Sequence, residues 1–242
     1  MAANATIVNS EVLFTSDKLP VEVTGMQAMA SKMWMPFIGM GFMIVVVAFI
    51  IGLFVSSAAA DYFSFSKSVR EAAGTGSDLA TKKAFIESTK VWLPTLKFLG
   101  LGMILGGVTF LLATILGALR TGGGRVQEAL GVDVKIIKPP MTAQLFPMFM
   151  MMGMMLLVAS VIIGIVLATL TYDYWNHSIA TQLNPSTSNL LADLGTINAV
   201  KLWLEPFKFV GMALLLTGIG LALATIVRVL RWQSTRLWDI LK

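Results

Sequence analysis

A 31-residue stretch of this chain occurs twice. Lys90–Arg120 reads KVWLPTLKFLGLGMILGGVTFLLATILGALR, and Lys201–Arg231 reads KLWLEPFKFVGMALLLTGIGLALATIVRVLR. The two align without a gap at an offset of 111 residues, with 14 of 31 positions identical. Among the identities are Trp92/Trp203, Lys97/Lys208, Phe98/Phe209, Gly100/Gly211, Gly107/Gly218 and Arg120/Arg231. A duplication of this kind ties the fold of one half to the fold of the other.

The correspondence extends both ways. Upstream, Val21-Glu22-Val23 matches Val132-Asp133-Val134 and Pro36 matches Pro147. One inserted residue then places Gly52 opposite Gly164 and Asp61-Tyr62 opposite Asp173-Tyr174. Downstream, Arg125/Arg236, Glu128/Asp239 and Leu130/Leu241 correspond. The expected organisation is a polar arm at 1–20, a first repeat at 21–131 and a second at 132–242.

Each repeat holds two apolar runs: 37–58 and 98–119, then 148–170 and 207–227. Each exceeds the roughly 18 consecutive apolar residues that mark a spanning helix. The chain is 56% hydrophobic and 13% charged, about half the charge of a typical soluble domain. Water offers no place for so much apolar surface. The fold class expected is an all-α integral membrane protein: four transmembrane helices, arranged as two tandem helical hairpins. Two spans per half return the chain to its starting side, so both halves insert the same way up, as parallel repeats do. Pro36 and Pro147 each open an apolar run, where a missing N–H costs least. The first run is too long for the apolar region of a cleaved signal, so it is expected to remain as an anchor.

The net charge is +5. Basic residues flank the apolar runs, which makes anionic lipid headgroups the natural partner and argues against nucleic acid. Ten basic residues fall on the side holding both termini and eight on the other, a slight bias that favours cytoplasmic termini in the cell (inner) membrane. Trp34, Trp92, Trp175, Trp203 and Trp232 all fall at run ends, as an aromatic belt does. Ahead of each even-numbered run an amphipathic segment is expected to form an interfacial helix. The first starts at Ser77-Asp78 and carries Leu79, Phe85, Ile86 and Leu93, with Lys82 and Lys83 on another face. The second carries Leu190, Leu191, Leu194, Ile197 and Val200. Such segments lie in the headgroup plane or cover a partner.

The chemistry-bearing residues are few. No Asp, Glu, Lys, Arg or His falls in the middle of an apolar run, where proton relays and ion carriers place such groups. Lys97 and Lys208 lie one turn inside their runs and can extend to the interface; with Trp92 and Trp203 they are the expected interface anchors. Glu205 and Lys208 are spaced to pair. There is no cysteine, hence no disulfide, thiolate ligand or cysteine nucleophile. His177 is the one histidine. With Asp173 at i,i+4 it offers two ligands, too few for a metal site. Met148, Met151, Met152 and Met155 share a helix face, and packing or lipid contact explains them better than copper(I). Gly122-Gly123-Gly124 lacks the lysine and hydroxyl residue of a P-loop and reads as a flexible turn. Small residues one turn apart, Gly102/Gly106, Ala113/Gly117 and Gly218/Ala222, are the expected helix-packing positions.

No catalytic, cofactor or metal residue is expected. The function these features point to is a non-catalytic accessory subunit of a larger membrane complex, with larger membrane-protein subunits and lipids as partners. The alternative is an oligomeric channel or carrier for a small neutral or apolar solute. A membrane enzyme at the interface would have only His177, Asp173 and Tyr174 to work with.

Overall fold

The computed structural model describes residues 25–132, 141–184, 186 and 188–241. The expected arm at 1–20 and the matched residues at 21–23 and 133–134 lie outside them. The structure is 92% helical and has no strand among the described residues. The helices are α1 Gly25–Ser64, α2 Lys67–Glu71, α3 Asp78–Ala129, α4 Met141–Asn176, α5 Ile179–Gln182 and α6 Ser188–Leu241. Four of them, α1, α3, α4 and α6, are long and apolar enough to cross a membrane.

These helices outrun the apolar stretches that nucleate them. At about 1.5 Å per residue, α3 with 52 residues and α6 with 54 are each roughly 80 Å long, against a hydrocarbon core of about 30 Å. The amphipathic segments expected to form separate interfacial helices are instead continuous with the apolar runs that follow. Pro94 and Pro206 sit inside the helices without ending them. Burial explains the continuity of α3, since Ala80, Ala84, Ile86, Val91 and Leu93 are all in the core. Packing of an apolar face outweighs local propensity. Pro36 and Pro147 likewise lie inside α1 and α4 rather than at their starts.

Gly122–Gly124 are not a turn. They are helical residues of α3, and their context supplies the reason. The Gln233 side chain of α6 lies directly against the Cα of Gly123. Its amide nitrogen donates to the Leu119 carbonyl at 2.6 Å, while the Gln127 amide donates to the Gly123 carbonyl at 3.3 Å. A side chain at position 123 would exclude this approach.

The connections after α1 and α4 are built alike. Ser66 and Ser178 have extended backbones, with φ/ψ of −61/154° and −63/154°. Each hydroxyl accepts a hydrogen bond from the backbone N–H three residues on, Val69 and Thr181 respectively. The two connections also bond to one another: the Gly76 N–H donates to the Asn176 carbonyl at 3.0 Å and the Ser178 N–H to the Thr75 hydroxyl at 2.9 Å. Gly76, at φ 72°, takes the left-handed conformation this turn requires.

The helices contribute to two compact units. One comprises residues 37–105 and 151–215. It has a core of Val91, Leu167, Tyr174, Leu190, Ile197 and Leu204, and a second of Val55, Tyr62 and Ile86. The other comprises 106–150 and 216–242 with the described part of 1–36. Its core is Leu116, Phe146, Ala222, Ile226 and Val229, and the Thr225 hydroxyl bonds to Thr142 at 2.7 Å.

Candidate functional site

Close approach of backbones sets the helix register in the unit of 37–105 and 151–215. A Cβ added at Gly41 would stand 2.6 Å from the Gly100 carbonyl oxygen, and one at Gly153 would stand 2.8 Å from the Gly211 carbonyl oxygen. Without burial from water as a driving force, such contacts are what hold helices together in lipid. Gly102 packs on Leu157, and Gly218, in the other unit, faces the Phe146 carbonyl. Gly106 and Ala222 are buried, and Ala113 packs on the core around Leu116. Gly117 is half-buried. Sequence spacing did not single out Gly41, Gly100, Gly153 and Gly211 for packing, because small residues one turn apart on a single helix mark a face, whereas close approach depends on the helix opposite.

This register has a consequence for the lysines. Gly41 and Gly100 lie near the beginnings of the runs 37–58 and 98–119. Because α1 and α3 are antiparallel in this unit, those runs touch at their starts. Gly153 and Gly211 place the starts of 148–170 and 207–227 together in the same way. Lys97 is therefore level with the interior of the α1 run, since Gly100 meets Ile44 and Val45 and Leu93 meets Gly52. Lys208 is level with the interior of the α4 run, since Gly211 meets Leu157. Lys97 is exposed. Lys208 is 4% exposed, with its ammonium 5.2 Å from the Phe98 ring centroid and 3.8 Å from Glu205. Trp92 is half-buried, and Trp203 is exposed with its edge against Phe207.

A cluster of charges gathers where α1 ends and α3 begins. Lys82 pairs with Asp61 at 2.6 Å and Asp78 at 2.9 Å. This segment of α3 precedes its apolar run, and the hydrogen bonds the Lys82 ammonium donates to Asp61 and Asp78 raise its pKa. Lys83, one residue on, points to another face and stands 3.9 Å over the Trp175 ring. Its burial lowers its pKa. Arg70, on α2, stacks against Tyr62 and Phe63 at 5.2 and 4.9 Å, and its Nε is buried without a hydrogen-bond partner. Tyr62, Phe63, Arg70 and Lys83 line a cavity of about 230 Å³ with Lys67, Glu71, Ile86, Glu87 and Ile179. The sequence offered only isolated signals here, Asp61-Tyr62 as a repeat match and Lys82 and Lys83 on one face of an amphipathic segment; the cavity gathers Tyr62, Arg70 and Lys83 from three helices.

The other singled-out residues are placed plainly. The His177 ring bonds through Nδ1 to the Asp173 backbone carbonyl at 2.8 Å. Among the described residues no group of three or more His, Cys, Asp or Glu is arranged to hold a metal. Met148, Met151, Met152 and Met155 are all exposed on α4, while Met150 is buried. Compared with protein-family models, curated proteins and solved structures, the chain has no match in any of the three.

Proposed function

We propose that this chain is a non-catalytic structural subunit of a larger multi-subunit membrane complex. The observation that carries this reading is the level of the charges within the unit of 37–105 and 151–215. Lys97 stands beside the interior of the apolar run of α1, and Lys208 beside that of α4. Each of these runs is long enough to fill a hydrocarbon layer of about 30 Å.

If the layer takes the runs of α1 and α4, then Lys97, Lys208 and the 68%-exposed carboxylate of Glu205 lie at membrane depth. Exposed charges at that depth call for protein partners or a water-filled cavity. Phe49, Ile50, Leu53 and Phe54 are all exposed on α1, a contiguous apolar face of the kind that marks a protein interface. The sparse packing of α1 agrees, with 11% of its most apolar stretch buried. So does the tail of α6, where Trp238 and Leu241 are exposed more than ten residues past the end of the apolar run.

The same reading includes a duplicated architecture of two like hairpins, one in 21–131 and one in 132–242, with termini on the cytoplasmic side of the cell membrane. Its support is the recurrence of equivalent contacts: Gly41–Gly100 and Gly153–Gly211, and the Ser66 and Ser178 caps.

A test acts on the α6 tail. Trp238→Ser with Leu241→Ser should release the chain from its native assembly while leaving its helix content intact. Retention of the assembly, together with free migration of a variant altered only at the α1 face, would place the interface elsewhere and remove the tail from the argument.

A further inference from the structure

We propose that the cavity between Tyr62, Arg70 and Lys83 is a binding site for a phosphate group, carried either by a lipid headgroup or by a soluble phosphate. Three cations, Lys67, Arg70 and Lys83, and two carboxylates, Glu71 and Glu87, line the cavity. Each carboxylate already has a lysine: Glu71 pairs with Lys67 at 3.6 Å, and Glu87 pairs with Lys90 at 2.7 Å. Arg70 and Lys83 make no ion pair among the described residues. Two positive charges are therefore left facing the cavity.

Their present contacts are aromatic rings, which attract a cation without taking up its N–H donors. Arg70 rests on Tyr62 and Phe63, and Lys83 rests on Trp175. An oxyanion in the cavity would offer acceptors to the Arg70 guanidinium and the Lys83 ammonium and offset both charges. Burial has already lowered the Lys83 pKa, a shift that a bound anion opposes.

The geometry favours phosphate over a carboxylate. Arginine engages two phosphate oxygens through its planar fork, and a lysine on another side meets a third as a point charge. The volume of about 230 Å³ is below the roughly 300–1,000 Å³ of pockets for drug-sized ligands, which suits a headgroup rather than a large metabolite. Ile86, Ile179 and the Phe63 ring in the wall accept the apolar end of an amphiphile. The site lies just past the end of the α1 run. With that run in the hydrocarbon it stands at headgroup level; with the α3 run there, it stands in water and takes a soluble phosphate.

The experiment uses the full chain purified in detergent. One arm adds phosphatidylglycerol or phosphatidylcholine and counts retained lipid by native mass spectrometry. The other adds inorganic phosphate and follows the melting temperature. The variant is Arg70→Gln with Lys83→Gln; the control, Lys32→Gln with Lys201→Gln, removes equal charge elsewhere. Retention of one phosphatidylglycerol by the native chain and the control, weakened about tenfold or more in the variant, supports the site with a lipid source. Stabilisation by inorganic phosphate that the variant loses, without preferential lipid retention, supports it with a soluble source. Binding of both probes by the variant at native strength, or by the native chain of neither, overturns it. If the double variant does not fold, Lys83→Gln alone carries the same comparison. The outcome is independent of the subunit reading, because no partner protein is present.

Discussion

At the scale of the residue, glycine and lysine carry the most information. A methyl group at Gly153 would stand 2.8 Å from the Gly211 carbonyl and 2.9 Å from the Leu215 side chain. Backbone cannot retreat as a flexible side chain can, so Gly153→Ala should destabilise by about 1–3 kcal/mol, as overpacked cores do. A lowered melting temperature in detergent reads this directly, and an unchanged one would refute the contact. Gly39, also helical, has nothing within 4 Å of an added Cβ. Gly39→Ala should leave the melting temperature unchanged or raise it, with up to about 1 kcal/mol gained from helix propensity. Sequence alone found Gly102 and Gly218 by their spacing and missed Gly41 and Gly153, whose partners lie more than fifty residues away. Lys208 shows the same limit. Its place one turn inside a run was legible, and its pairing with Glu205 followed from spacing. Its burial against Phe98 depends on α3 and could not be read from α6.

At the scale of the element, the four apolar runs were legible because each is long, uninterrupted by charge and far more apolar than a soluble helix. The helix ends were not. Three consecutive glycines have the composition of a turn, and single-helix propensity disfavours them by about 1 kcal/mol each relative to alanine. Gln233 overrides that preference from 110 residues away by bonding to Leu119 across the gap the glycines leave. Gln233→Leu should remove this bond, worth about 1 kcal/mol net, and crowd Gly123 as well. Amide exchange across residues 119–129 should then quicken while exchange in α1 stays as it was. Unchanged exchange in 119–129 would show that other contacts hold the α3 tail. The amphipathic starts of α3 and α6 belong to the same lesson. Their apolar periodicity was read correctly, and their separation from the spans was not, since continuity was set by burial of Val91, Leu93 and Leu204.

At the scale of the whole molecule, the four apolar runs were legible in the sequence, but which residues stand level with them was not, because register follows from glycine contacts between distant segments. Within the unit of 37–105 and 151–215, Gly41 meets Gly100 and Gly153 meets Gly211, which sets Lys97 and Lys208 beside the interiors of the α1 and α4 runs. The proposed partner protein would cover such charges, and the proposed anion site at Arg70 and Lys83 is a separate surface. The most direct measurement is gentle solubilisation of native membranes, native electrophoresis, and mass spectrometry of the band that contains this chain. Migration with larger subunits in constant ratio is the expected result. Recovery of the chain as a stable, homogeneous free monomer would contradict it.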